Sequence, residues 1–305
     1  MNNIFANIQG DKTLWAVLIL LAGFSFLPVY SAASNLAYVS GSGNTFNYLF
    51  KHFIHLSLGF TFMYLMQKIP YHYFRGISIL MIPVVIVLLL YTIFQPSVTD
   101  SLTNTNRWIK IPFVGFTFQP STLAGVILMI YVSRYLAKIK DIDVRFSQTI
   151  LPLWIPTLFI LLLILPANFS TTAIIFSMVI LLCFVGGYPI KHLLGIVLSG
   201  ILVLSIFILT IKAYPGIFPN RVDTWKSRIE NFVNKENTTE NYQIEKAKIA
   251  IATGGVRGLG PGKSVQKNFL PQSSSDFIFA IIIEEYGLIG GLFLLTVYAL
   301  FLLRI

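Results

Sequence analysis

An all-α fold, a polytopic bundle of membrane helices, is what this sequence predicts, and three observations carry the prediction. Hydrophobic residues make up 55% of the 305 residues and charged residues only 11%, where a soluble domain is about a quarter charged. Mean hydropathy is +0.76. The apolar residues are also gathered into runs of spanning length, about 20 residues being needed to cross a bilayer core.

Eight such runs follow one another, at residues 13–31, 48–67, 74–94, 120–138, 148–166, 169–187, 190–212 and 276–303. The chain reads as a single integral membrane domain over residues 1–305. The first run is long enough to remain as a helix, and no small-residue cleavage site follows it. Pro83, Pro152 and Pro156 lie inside spans and predict kinks. Gly59, Ser177, Gly195, Ser199 and Gly200 suit close helix packing. The lone Cys183 sits in an apolar run and excludes a disulfide framework.

The charge balance is basic, 22 Lys+Arg against 12 Asp+Glu. The cations do not cluster on one polar domain, so the excess is read as membrane topology and nucleic acid is not an expected partner. With the N-terminus inside, the cytoplasmic connections collect Lys12, Lys68, Arg75, Arg134, Lys138, Lys140, Arg145, Lys191 and Arg304. The short outer ones hold only Arg107, Lys110 and Lys51. That asymmetry predicts an N-in orientation.

The long connection at residues 213–275 then becomes an extracytoplasmic loop. Within it Val222, Trp225, Ile229 and Phe232 recur at helical spacing, which predicts an amphipathic helix over 220–233. Residues 243–253 form a second helical candidate. The other outer connection, 95–118, carries Arg107 beside Trp108, a cation next to an interfacial aromatic.

Chemistry points to residues 254–290. Here glycines and lysines lead through Leu270-Pro271 into an apolar run that contains Asp276, Glu284 and Glu285. Ionisable groups in hydrocarbon mark pathways or reaction sites. With Ser274 or Ser275 as the helix cap, Asp276 is expected in the first turn of the last span, at its outer mouth, where a carboxylate also complements the helix dipole. Glu284 and Glu285 lie roughly 12–13 Å further along, at 1.5 Å per residue. They are expected to be structural or to line a hydrated cavity.

The segment Gly258-Leu-Gly-Pro-Gly-Lys-Ser264 invites a phosphate-loop reading, but the pattern needs glycine where the chain has Arg257, and no βαβ context surrounds it. What survives is a flexible loop whose N–H groups and cations suit a phosphate or pyrophosphate. The His52/His55 pair has no accompanying carboxylate and is not read as a metal site.

The ordered motifs resemble those of the SEDS proteins (shape, elongation, division and sporulation: FtsW, RodA and SpoVE). Gly260-Pro-Gly-Lys-Ser264, Leu270-Pro271-Gln272, Ser275-Asp276-Phe277-Ile278-Phe279 and Glu284-Glu285-Tyr286-Gly287 match that family's signature. Upstream, Asn106-Arg107-Trp108-Ile109, Phe118-Gln119-Pro120-Ser121 and Tyr242-Gln243 match further motifs. The resemblance spans essentially the whole chain and is closer to the division member than to the elongation member.

The resemblance implies a peptidoglycan glycosyltransferase of the bacterial plasma membrane that polymerises lipid II on the outer face during division or wall elongation. It implies a class B penicillin-binding protein and other division or elongation proteins as partners, with the division septum as a site of action. It further implies support from a divalent metal, Mg or Mn, whose ligands it leaves open with Asp276 as one candidate, and an essential carboxylate at Asp276. Arg107, Trp108, Arg228, Lys263, Ser264 and Lys267 become candidates for substrate binding. Two other readings stay open: a lipid II flippase, and a non-catalytic divisome scaffold that recruits the penicillin-binding protein.

The chain departs from the family pattern in places. Thr122 and Gly125 stand where Glu and Lys are usual, Asn168 replaces an Asp, Gln272 replaces the Glu of L-P-E, and Ser274 replaces a His. The family has ten spans, so the last two are expected to be missing here.

Overall fold

In lipid a segment must satisfy its own backbone N–H and C=O groups, so the apolar runs have helix as their available form. The computed structural model describes residues 10–39, 45–95, 108–110, 117–140, 145–213, 239–270 and 273–305. All eight apolar runs are helical there. The predicted amphipathic helix over 220–233, together with Arg107, Arg228 and Gln272, lies outside the described residues.

Helix α1 spans Lys12–Val39, α2 Thr45–Met66 and α3 His72–Phe94. A short antiparallel hairpin, β1 Ile109–Lys110 and β2 Thr117–Phe118, pairs Ile109 with Phe118 and Lys110 with Thr117. Then come α4 Pro120–Ile139, α5 Phe146–Thr149, a π-helical turn Ile150–Trp154 and α6 Ile155–Ile164. Helices α7 Phe169–Val185 and α8 Ile190–Ala213 precede α9 Thr239–Gly254, a 3-10 turn Gln266–Asn268 and α10 Ile278–Arg304.

Among the described residues five helices are long and apolar enough to cross a membrane: α1, α3, α4, the interrupted helix Phe146–Ile164, and α10. Helix α2 has the length, but Lys51, His52 and His55 dilute its apolar character. Helix α7 has 17 residues. This is a multi-pass helical membrane protein.

The proline expectation is met once. At Pro152, which has no N–H to give, the helix widens into the π turn. Tyr131 of α4 donates its hydroxyl to the Pro152 carbonyl across that turn. Helix α3 runs through Pro83 without interruption, and Pro156 falls in the first turn of α6, where no N–H partner is lost.

Two compact units divide the chain. The unit of residues 70–226 has an apolar core in which Val85, Leu89, Leu128, Val132, Leu153, Ile160, Ile164 and Val179 are almost wholly buried. One polar knot sits inside it. The Tyr188 hydroxyl lies 2.6 Å from the Thr149 hydroxyl and accepts from Trp154 Nε1 at 3.3 Å.

Two sequence departures find a physical account in this unit. At Gly125 a Cβ would meet Ile175 side-chain atoms at 3.3 and 3.4 Å, so α4 and α7 approach closely where a long side chain is usual. Asn168 caps α7, its Oδ1 accepting from the Thr171 N–H at 3.2 Å. Asparagine thus performs the capping that an aspartate would.

The second unit joins residues 1–69 to 227–305. Helices α1 and α10 run antiparallel: Asp11, which accepts from the Thr13 N–H at 2.7 Å, lies 3.7 Å from the Arg304 guanidinium at the far end of α10. Phe24 of α1 packs against Tyr286 and Phe293 of α10, at ring separations of 5.7 and 5.9 Å. On the α2 side of α1, Ser25 and His52 share a hydrogen bond of 2.8 Å. The centre of this unit is polar: Ser31, Ser264, Ser273, Glu284 and Glu285 are all buried.

Candidate active site

The signature segment is organised by a break in α10. Gly287 adopts φ 69° and ψ −173° inside the helix, a conformation that belongs essentially to glycine. A regular helix would bond the Glu284 and Glu285 carbonyls to the N–H groups of Leu288 and Ile289. At the break those bonds are not made.

The glycine-rich segment after α9 supplies all four missing partners. Leu259 and Gly260 donate to the Glu284 and Glu285 carbonyls, each at 2.9 Å, while Leu288 and Ile289 donate to the Gly255 and Val256 carbonyls at 2.9 and 3.3 Å. The exchange demands main-chain contact. A Cβ on Gly254 would stand 2.1 Å from the Ile283 carbonyl oxygen, and one on Gly258 would stand 2.3 Å from that of Glu285.

A second lock is made by side chains. Glu284 and Glu285 are each 1% exposed. The Glu284 carboxylate accepts the Ser264 hydroxyl and the N–H groups of Val265 at 3.1 Å and Gln266 at 3.3 Å, closing over the start of the 3-10 turn. Glu285 accepts the Ser264 N–H at 3.3 Å and the hydroxyl of Ser31 from α1. The Ser31 oxygen accepts in turn from the Lys267 ammonium at 3.1 Å, and Lys267 also donates to the Gly262 carbonyl at 2.8 Å. Hydrogen bonds to ionised groups are about twice as strong as neutral ones.

From this anchor the chain reaches Asp276. Leu270 and Ser273 are buried, and the Ser273 N–H donates to the Leu270 carbonyl at 3.1 Å. The Ile278 N–H then closes on the Ser275 carbonyl at 3.4 Å as α10 begins. Asp276 is exposed on the turn between these points. The sequence expectation put it in the first helical turn with a serine cap. Instead α10 starts at Ile278, Phe277 holds the cap position without a side-chain bond, and the first turn holds no acid. The turn over 273–277 takes up the residues that would have capped the helix.

The substrate-binding candidates separate by position. Lys263 is exposed, its side chain lying over Gly260. Ser264 is buried and commits its hydroxyl to Glu284, and the Lys267 ammonium turns inward. Trp108 belongs to the unit of residues 70–226. There it is 40% exposed at the start of the hairpin, on an open cavity of about 370 Å³ also lined by Phe118, Gln119, Leu123 and Val126. Ser31 was not legible in the sequence: it is an isolated hydroxyl in an apolar run, 254 positions from its partner Glu285.

Chemically, an exposed carboxylate on an anchored turn can accept a proton or bind a cation. No cluster of three or more His, Cys, Asp or Glu side chains suited to a metal ion occurs among the described residues. Glu284 and Glu285 are occupied by the loop. Asp276 offers one carboxylate, the hard oxygen donor that a cation such as Mg²⁺ takes.

Known proteins share this fold. The family model described as cell cycle protein, FtsW/RodA/SpoVE, matches residues 11–305. The chain is 31% identical to a probable peptidoglycan glycosyltransferase FtsW of Marinomonas mediterranea, over 98% of this chain and 72% of that one. A solved structure on the structural coordination of polymerization and crosslinking by a peptidoglycan synthase complex superposes with a TM-score of 0.66 at 19% identity. It covers 96% of this chain and 76% of that one. The rod shape determining protein RodA of Thermus thermophilus superposes with a TM-score of 0.59 at 19% identity, over 96% of this chain and 73% of its own.

Proposed function

The chain belongs to the FtsW/RodA/SpoVE family of cell cycle proteins, and from that membership and the geometry of its site we propose that it polymerises lipid II with Asp276 as the catalytic base. It is a peptidoglycan glycosyltransferase. The observation that carries the assignment of Asp276 is its exposed carboxylate on a turn pinned at one end by Leu270 and Ser273 and at the other by α10.

The reaction joins an acceptor sugar to the anomeric carbon of a lipid-linked donor. The acceptor hydroxyl gives its proton to Asp276 as its oxygen bonds to that carbon. The bond from the anomeric carbon to the lipid pyrophosphate breaks, and the pyrophosphate leaves with the electron pair. A positioned base contributes about 10²–10⁴-fold to such a step. The charge that develops on the leaving group calls for a cation, and Lys263 is an exposed cation of the loop, as is Arg257. A divalent metal, held by Asp276 and the substrate, would supply the same neutralisation when bound.

The lipid tails stay among the membrane helices while the sugars reach the turn at the start of α10. With the N-terminus in the cytoplasm that turn faces outward, in the bacterial plasma membrane. There a class B penicillin-binding protein is the partner that would cross-link the emerging strands.

The test is reconstitution with a class B partner, lipid II and divalent metal, comparing the wild type with Asp276→Ala. Glycan strands from the wild type alone support the assignment. Strands from both remove Asp276 as the base, and strands from neither turn the reading toward transport or scaffolding. Labelling of Lys263→Cys from the cytoplasmic side would overturn the orientation.

A further inference from the structure

We propose that Lys267 is a positioning residue, whose ammonium balances the buried Glu285 carboxylate through the Ser31 hydroxyl and so fixes the loop that bears Lys263 and leads to Asp276. Its catalytic readout rests on the polymerase reading above; its structural readout does not.

The geometry separates the two lysines of the loop. A lysine ammonium has three donors, and Lys267 gives one to the Ser31 oxygen at 3.1 Å, in a part-buried contact, and one to the exposed Gly262 carbonyl at 2.8 Å. Ser31 donates its own proton to Glu285. The other Glu285 oxygen is buried and has no partner among the described residues, so the route through Ser31 is the described connection from this acid to a cation. A carboxylate in an apolar interior is tolerated when it is paired and hydrogen-bonded. Turning Lys267 outward to grip a phosphate would break these two bonds and leave Glu285 unbalanced. Lys263 meets no such penalty, since its side chain already extends over Gly260 in the open.

The relay also joins three segments distant in sequence. Ser31 comes from α1, Lys267 from the loop after α9, and Glu285 from the half of α10 before the break. Removing the cation should loosen the loop against α1 and misplace the turn that bears Asp276. Removing the acid as well should cancel the imbalance, because a buried pair deleted together is far better tolerated than either partner left alone.

The experiment is a double-mutant cycle on the membrane-inserted protein with its cross-linking partner, using Lys267→Met, Glu285→Gln and the double variant. Thermal unfolding in detergent is measured together with polymerisation kcat and KM for lipid II. Each single variant is expected to unfold earlier and to lose roughly 10-fold or more in kcat, with KM changed less than about 2-fold. The double variant is expected to return within about 3-fold of wild type.

A double variant no better than Lys267→Met would overturn the proposal. So would a Lys267→Met that raises KM at unchanged kcat, the signature of a lost substrate contact. If Lys267→Met fails to accumulate, recovery of accumulation in the double variant reads the same coupling in its favour, and failure of both counts against it. A wild type that makes no strands would sink the polymerase reading, while the unfolding cycle still decides the relay.

Discussion

Gly258 and Gly287 touch backbone to backbone: a Cβ at Gly287 would lie 2.5 Å from the Gly258 nitrogen, and one at Gly258 would lie 2.5 Å from the Gly287 nitrogen. This mutual fit is how the glycine-rich loop enters the break in α10 and replaces the helix's own hydrogen bonds. The turn that bears Asp276 begins from a loop built into a membrane helix.

Substitution at that contact should be severe. Gly287→Ala meets the Val256 carbonyl oxygen at 2.3 Å and a backbone φ of 69°, and the conformation alone costs about 1–3 kcal/mol. Thermal unfolding in detergent should fall strongly for Gly287→Ala and Gly258→Ala. Gly195→Ala, in open space on α8, should leave it unchanged or slightly raised.

The Glu284 carboxylate should rank above its hydroxyl partner. Ser264→Ala removes one donor and leaves two backbone N–H groups on the acid, whereas Glu284→Ala leaves the Ser264 hydroxyl and the N–H groups of Val265 and Gln266 without their acceptor. Each buried group so orphaned costs about 1–3 kcal/mol. Unfolding midpoints should therefore fall in the order wild type, Ser264→Ala, Glu284→Ala. An equal loss in the two variants would contradict the picture of Glu284 as the hub.

Asn168 should be replaceable by the family's usual acid. Asn168→Asp keeps the acceptor for the Thr171 N–H and should hold wild-type stability, while Asn168→Ala should cost about 1 kcal/mol, as lost N-caps do. Comparison of the two unfolding curves checks it.

Within the unit of residues 70–226, Tyr188→Phe should be costlier than its single lost oxygen suggests. It strips the acceptor from Trp154 Nε1 and one of two partners from the Thr149 hydroxyl, which keeps its bond to the Phe146 carbonyl at 2.7 Å, for about 1–3 kcal/mol. Chemical denaturation of the wild type and the variant measures the difference.

Sequence alone determined the helices, because hydrocarbon admits few backbone forms and the apolar runs have the length to cross it. It also singled out Asp276, Glu284 and Glu285, since acids stand out in apolar surroundings and their motifs are ordered like the family's. What it could not show was direction and partnership. The start of α10 was misjudged because the turn over 273–277 is set by the buried Leu270 and Ser273, not by a local serine cap. Ser264, Lys263 and Lys267 looked alike as members of one basic loop. Their separation into a buried anchor, an exposed cation and an inward strut depends on Ser31 of α1 and on Gly287 opening the last helix. Both act through contacts between residues far apart in the chain, and no local pattern of residue types records such contacts.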